Sequence, residues 1–254
     1  MAHLTVLTGA SRGLGAAMAS RLLGTDGVLL CISRGTHPAL EKEARASGAQ
    51  LTQWQLDLED GRIAAHRLVE WLGSQNANQL SSATLINNAA MIPQVAPLQD
   101  VPDMQLQAAL RIGLEAPMQL TRAFLAATQA WVCPRRILNI SSGLGRYPMA
   151  SQAAYCAVKA GMDHFSRCVA LEEAAQVNGA RICSIAPGVI DTDMQLQLRS
   201  TPTAQFADVS RFQALHAQGQ LASPDATAQA LLNFLEHPLF GTQAVADIRD
   251  SLPD

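Results

Sequence analysis

Charge is scarce in this chain: Asp, Glu, Lys and Arg together make up 15% of its 254 residues, and their formal sum is only −3. So small a net charge gives no long-range attraction to nucleic acid or to an anionic membrane, although local arginines can still hold a phosphate. No apolar run approaches the roughly 20 residues that cross a bilayer. Met1-Ala2-His3-Leu4 leads straight into an apolar segment, without the basic start and small-residue cleavage site of a secretory signal. A cytoplasmic protein is expected. Cysteine is sparse and scattered: Cys31, Cys133, Cys156, Cys168 and Cys183 form no CxxC pair, and neither they nor the six histidines show metal-ligand spacing. Reduced packing thiols and no metal site follow. There is also no Gly/Ser- or Pro-rich linker, internal repeat or low-complexity tract, which leaves no seam at which to divide the chain.

What remains is apolar and periodic. Residues of the hydrophobic class make up 48% of the sequence, enough for the core of one large α/β domain. Short apolar runs alternate with helix-like stretches almost from end to end, the pattern of a parallel sheet covered on both faces. Strands are expected near 4–8, 28–33, 50–56, 84–87, 136–141, 181–186 and 243–248. Leu14, Met18, Leu22 and Leu23 repeat at helical spacing, as do Val158, Met162, Phe165 and Val169. A helix over 104–131 contains Pro117, which removes a backbone donor and predicts a bend.

The first strand runs into Thr8-Gly9-Ala10-Ser11-Arg12-Gly13-Leu14-Gly15. A dinucleotide pyrophosphate needs backbone N–H donors, the positive end of a helix and no side chain in the way, and Gly9, Gly13 and Gly15 give that clearance. The G-x-x-x-G-x-G spacing differs from G-x-G-x-x-G but works by similar mechanics. The second strand ends in Ser33-Arg34, where an NAD enzyme usually places an acid for the ribose 2′-hydroxyl. Arg34 and Arg12 instead suit a 2′-phosphate, so NADP(H) is the expected cofactor; the alternative is two solvated surface arginines.

Downstream, Ser142 precedes Tyr155 and Lys159, and the four-residue step puts the latter two on one helical face. A tyrosine that exchanges protons near neutrality needs its phenolate stabilised by about 4 kcal/mol, because a free one titrates near ~10. The Lys159 ammonium and the positive nicotinamide can supply this. Ser142 would then donate to the substrate carbonyl oxygen while Tyr155 protonates the alkoxide formed by hydride transfer. The bland reading is a helix-capping aromatic, a solvated lysine and a turn serine, but the glycine turn upstream weighs against it.

With Asn87-Asn88-Ala89-Ala90, Asn139-Ile140-Ser141-Ser142 and Pro187-Gly188 in the same order, the chain resembles the short-chain dehydrogenase/reductase family over nearly its whole length. The resemblance implies a single doubly wound Rossmann-type domain with a substrate loop at about 188–222. It assigns Ser142, Tyr155 and Lys159 to catalysis. It places Gly9, Ser11, Arg12, Gly13, Leu14, Gly15, Ser33, Arg34, Leu58 and Ala89 against the cofactor, with Asp57 at the adenine and Asn87 beside the ribose. Tyr155 and Lys159 also contact the cofactor, as do Pro187, Gly188, Val189 and Thr192, the last at the nicotinamide amide. Two departures stand out: Gly113 replaces the asparagine that commonly precedes the mid-helix proline by four residues, and Ala90 replaces a glycine.

Ala170-Leu171-Glu172-Glu173, Asp191-Thr192-Asp193-Met194-Gln195 and Ala246-Asp247-Ile248-Arg249-Asp250 are similar to the sepiapterin reductase branch, which includes benzil-reductase-like enzymes. That resemblance implies reduction of vicinal dicarbonyls and a substrate-anchoring role for Asp247, beside Ser142 and Tyr155; the residue-level alternative for Asp247 is a solvated or capping aspartate. Within 203–218, Phe206, Val209, Phe212 and Leu215 recur every three residues, which fits either a mobile lid or a fixed packing helix. The leading expectation is NADPH-dependent reduction of a small-molecule carbonyl. The rivals are alcohol oxidation by the same site and a non-catalytic NADP(H)-sensing module. Relatives also imply a homodimer or homotetramer, with no nucleic-acid or membrane partner.

Overall fold

The computed structural model describes residues 1–24 and 26–250. Seven strands form one sheet: β1 (Ala2–Thr8), β2 (Gly27–Ser33), β3 (Gln50–Gln55), β4 (Leu80–Asn87), β5 (Arg135–Ile140), β6 (Arg181–Ala186) and β7 (Val245–Asp247). Their order is β3-β2-β1-β4-β5-β6-β7, and every neighbouring pair is parallel. The strand order therefore reverses between β1 and β4, where a doubly wound sheet opens a crevice at its carboxyl edge.

Period-2 alternation along the strands feeds two cores. Leu4, Val6, Leu30, Ile32 and Leu85 point to one face, where they meet Leu68 and Leu72 of α3 (Gly61–Gly73) and Leu120 and Phe124 of α5 (Ala116–Thr128). Leu7, Leu29, Cys31, Ile86 and Ile185 point to the other. There they pack with α1 (Gly13–Leu22), α2 (Pro38–Ser47) and α9 (Pro224–Glu236) through Met18, Leu40 and Leu231. Each face is covered by helices because each strand presents apolar side chains both ways.

The expected strands are all present, with shifted ends. β4 begins at Leu80, four residues earlier than its apolar run: Ser82 pairs with β1 by register and bonds His3 Nδ1 at 2.8 Å, so polar side chains disguise a paired segment. β7 is only Val245–Asp247. The helix expected over 104–131 is divided: α4 (Asp103–Leu110), a π-turn (Arg111–Glu115) and α5. In the π-turn the Ala116 N–H reaches back to the Arg111 carbonyl. Pro117 follows at once, and a widened turn is how a helix absorbs a missing donor without breaking.

Gly113 sits in that widened turn against α6 (Ala153–Ala174), where an added Cβ would lie 2.6 Å from Val158 Cγ1. The neighbour is a β-branched side chain with one strongly preferred rotamer. Two short helices, α7 (Asp193–Arg199) and α8 (Val209–Ala217), lie in the loop after β6. The loop is closed at its base by Ala222 N to Val189 O and Asp191 N to Ala222 O, both 2.9 Å. Among the described residues no helix is long and apolar enough to cross a membrane.

Gly113→Ala should lower unfolding stability by about 1–3 kcal/mol through overpacking, and adding Val158→Ala should recover most of that loss. Urea denaturation of the single and double variants checks this; equal losses in both would show that the two residues do not share the space.

Candidate active site

β1 ends in Thr8, whose Oγ1 accepts the N–H groups of Asn88 (2.9 Å) and Ala89 (3.0 Å) and so ties the ends of β1 and β4 together at the crevice. Asn88 Nδ2 answers by donating to the Thr8 and Gly9 carbonyls at 3.0 and 3.3 Å. Against this knot the chain has no room for a side chain at Gly15: a Cβ there would lie 2.0 Å from Gly9 O and 2.6 Å from Asn88 Nδ2. Gly9, at φ +73°, turns through the left-handed region that glycine alone enters freely. The first-turn N–H groups of α1, at Gly13, Leu14 and Gly15, lack intrahelical acceptors, as at every helix start. This cradle suits a dinucleotide phosphate both in clearance and in donors.

The cradle forms one end of a cavity of about 810 Å³ that runs along the carboxyl edge of the sheet. Of the residues the sequence pointed to, all but one line it, from Ser11, Arg12, Ser33 and Arg34 through Asp57, Leu58 and Ala89 to Pro187, Gly188, Val189, Thr192 and Asp247. Asn87 stands apart. It is 2% exposed, and its Nδ2 donates to Asn139 Oδ1 at 2.8 Å inside the sheet edge, while the next residue, Asn88, reaches the cavity. Ser33 Oγ accepts the Ala10 N–H at 2.9 Å, and Asp57 Oδ1 caps the turn at Leu58–Asp60 through Glu59 N at 3.0 Å. Arg34 lies exposed on the rim, with no acid at the end of β2. Arg12, on the same wall, crosses to Asp193 of α7 at 3.1 Å.

At the other end Ser142, Tyr155 and Lys159 converge. Ser142 Oγ accepts the Leu144 N–H at 3.2 Å, which caps the turn at Gly143–Gly145 and leaves the hydroxyl proton to donate elsewhere. Tyr155 and Lys159 share the buried face of α6, and Lys159 Nζ lies 5.6 Å from the tyrosine ring centre. Lys159 is only 3% exposed, and Nζ donates to the Ile140 carbonyl at 2.7 Å. Burial pulls its pKa from 10.5 down to about 8, while the charge of Asp163 opposes that fall. Burial likewise pushes the Tyr155 phenol up to about 12, and a hydrogen bond with Ser142 works in the opposite direction. Within the chain alone desolvation outweighs the Ser142 contact, so the lowered phenol expected from the sequence would require the charge of a bound nicotinamide.

Asp247 is 8% exposed and receives a forked bond from Arg249, Nε at 2.8 Å and Nη2 at 2.7 Å, which holds its carboxyl below the ordinary range. Phe206, Val209 and Phe212 are buried with Tyr155, Ile92 and Leu198 in a third apolar cluster that roofs the cavity. Two residues there were part of the quoted motifs but were given no role from the sequence. Gln195 of α7 lines the cavity with its Oε1 held by Arg199 at 2.9 Å and its buried Nε2 without a hydrogen-bond partner among the described residues. Arg249 closes on Asp247. A polar glutamine in a short helix and an arginine near the C-terminus carry no periodicity signal; only the fold brings them in.

The family model described as short chain dehydrogenase matches residues 3–203. Benzil reductase ((S)-benzoin forming) of Bacillus cereus is 38% identical over 231 residues, covering 91% of this chain and 93% of that one. Sepiapterin reductase of Rattus norvegicus is 30% identical over 257 residues, 96% and 95% of the two chains. Among solved structures, the KRED1-Pglu enzyme superposes with a TM-score of 0.81 at 26% identity, covering 95% of this chain and 98% of that one.

Because Lys159 loses its proton near 8 when folded and near 10.5 when unfolded, the folded state binds fewer protons between those values and the lysine's contribution becomes more favourable as pH rises. Relative to Lys159→Met, the wild type should gain roughly 2–3 kcal/mol of stability from pH 7 to pH 10. Chemical denaturation at the two pH values measures it; a pH-independent difference would contradict the burial cost.

Proposed function

The chain belongs to the short-chain dehydrogenase family of nicotinamide-dependent oxidoreductases, and on that footing we propose that it reduces a ketone or vicinal diketone with NADPH. One observation carries the reading: the buried Tyr155 phenol stands with Ser142 and Lys159 in the same cavity as the glycine cradle. When bound, the cofactor supplies hydride. The chain's own residues do the rest. Ser142 turns its proton from the phenol to the carbonyl oxygen and holds that oxygen toward Tyr155, Tyr155 delivers a proton as that oxygen becomes basic, and the Lys159 ammonium offsets the charge left on the phenol. The same site also serves alcohol oxidation, and the ratio of reduced to oxidised cofactor decides between the two directions; the intact set gives a non-catalytic sensor no reason to keep it.

Preference for NADPH rests on Ser33-Arg34 at the end of β2, where no carboxylate meets a 2′-hydroxyl and none repels a 2′-phosphate. Arg12 can join Arg34, because its bridge to Asp193 is exposed at both ends and such pairs contribute little. The substrate end of the cavity is largely apolar, with Ile92, Leu144, Met149, Met194, Leu198 and Phe212 on its walls beside the polar Gln195, Asp247 and Arg249. That lining, together with the identity to a benzil reductase, supports an uncharged, aryl- or alkyl-flanked dicarbonyl. A pterin ring is less well served, since its anchoring carboxylate would be Asp247, already gripped by Arg249. Self-association through α5 and α6, where Met118 and Leu171 are exposed, belongs to the same reading.

NADPH consumption with a panel of benzil, alkyl diketones and monoketones tests the proposal, and no turnover with any carbonyl would reject it. Tyr155→Phe should lower kcat at least ~100-fold while leaving NADPH binding, followed by fluorescence, nearly unchanged. Arg34→Glu should weaken NADPH roughly 10- to 100-fold and NADH far less; equal effects on the two cofactors would refute the phosphate assignment.

A further inference from the structure

One buried carboxylate takes no part in the steps above. Asp163 is 1% exposed and lies one helical turn beyond Lys159 on α6. Its Oδ1 accepts the hydroxyls of Ser141 at 2.6 Å and Ser184 at 2.7 Å, and its Oδ2 faces Arg146 Nε at 3.4 Å. These donors come from three places: the residue before Ser142, strand β6, and the residue just after the Gly143–Gly145 turn. All of them donate, which suits an anion that has only acceptors. The turn itself is pressed onto the same face of α6, since a Cβ at Gly145 would lie 2.9 Å from Asp163 Oδ2 and 3.0 Å from the Lys159 carbonyl oxygen. Arg146 then runs outward, donating to the Ala246 carbonyl at 2.7 Å and approaching Asp247 Oδ2 at 3.9 Å. With Arg249 on Asp247, charges alternate in sign from behind Lys159 to the cavity rim.

We propose that Asp163 is a positioning residue for carbonyl reduction: its fixed negative charge keeps the Lys159 ammonium protonated beside Tyr155, and its bonds to Ser141 and Arg146 hold the Ser142 turn in register. The proposal rests on the reductase reading above. The other groups facing this pair do not supply the charge. Tyr155 on α6 and Cys183 on β6 are both pushed up to about 12 by burial and stay neutral. Arg146 has the opposite sign, and Asp247 lies beyond it, tied to Arg249. Burial drives Lys159 toward the neutral amine, and Asp163 opposes it. A group that acts through charge must leave a signature in pH, whereas one that only packs lowers the rate alike at every pH.

The test is the pH profile of kcat/KM for NADPH-dependent diketone reduction in the wild type, Asp163→Asn, Arg146→Met and Ser184→Ala. Asp163→Asn should move the high-pH limb to lower pH by roughly one unit. Arg146→Met, which removes the opposing cation, should move it to higher pH. Ser184→Ala takes away a hydrogen bond and no charge, and should leave the limb in place. Limbs that coincide in the wild type and both charge variants would overturn the proposal even if rates fall. If Asp163→Asn fails to bind NADPH and so to fold, the direction of the Arg146→Met limb decides, and an unmoved limb overturns it. If the wild type reduces no carbonyl, the reductase reading fails instead. The Asp163 charge is then judged by NMR titration of Lys159 in the same variants, where an unmoved midpoint overturns it.

Discussion

The hydrogen bond from the Lys159 ammonium to the Ile140 carbonyl, 2.7 Å long and almost wholly buried, is the constraint on which this molecule turns. Removing an ammonium from water is costly, and it is tolerated only where acceptors and opposing charge are fixed in place. The end of β5 provides the acceptor, because Ile140 is its last residue and its carbonyl points past the sheet edge toward α6. The same placement leaves Ser142 two residues further on, over the cavity. One strand end thus fixes both where the buried ammonium sits and where the Ser142 hydroxyl enters the cavity.

The two ends of the cavity are built by opposite physics. At the glycine cradle what matters is room: Gly15 is enclosed so closely that any side chain would strike Gly9 or Asn88, and the backbone is left as the only possible contact surface. At the Ser142, Tyr155 and Lys159 end what matters is the exclusion of water, which raises Tyr155, lowers Lys159 and makes nearby charges such as Asp163 count for more than they would on the surface. The roof formed by Phe206, Val209 and Phe212 serves the second purpose. Those side chains are buried against Tyr155, so the three-residue repeat reports a packed face.

Sequence order made much of this visible. A glycine turn directly after the first apolar run, and a tyrosine four residues before a lysine, are local signals whose spacing survives folding unchanged. Parallel strands buried on both faces also announce themselves as apolar runs, although β4 hid its first residues behind Ser81 and Ser82. What was not legible depends on partners far apart in the chain. Asn87 turned inward because Asn139 on the neighbouring strand offered an acceptor, and Asp247 was engaged by Arg249. The π-turn at Arg111–Glu115 was signalled by Pro117 only as a bend. Gly113 read as a missing asparagine, and the structure shows instead a site filled by Val158.

The chain holds only two lysines, Lys42 and Lys159, so the central claim can be read directly from one spectrum. Lysine side-chain carbons observed by NMR across pH, with the Lys159→Met variant to assign the signal, should show Lys159 losing its proton at about 8, well below its ordinary 10.5. A Lys159 midpoint at the ordinary value would mean that the ammonium is not held in a dry pocket, and would contradict the site at its root.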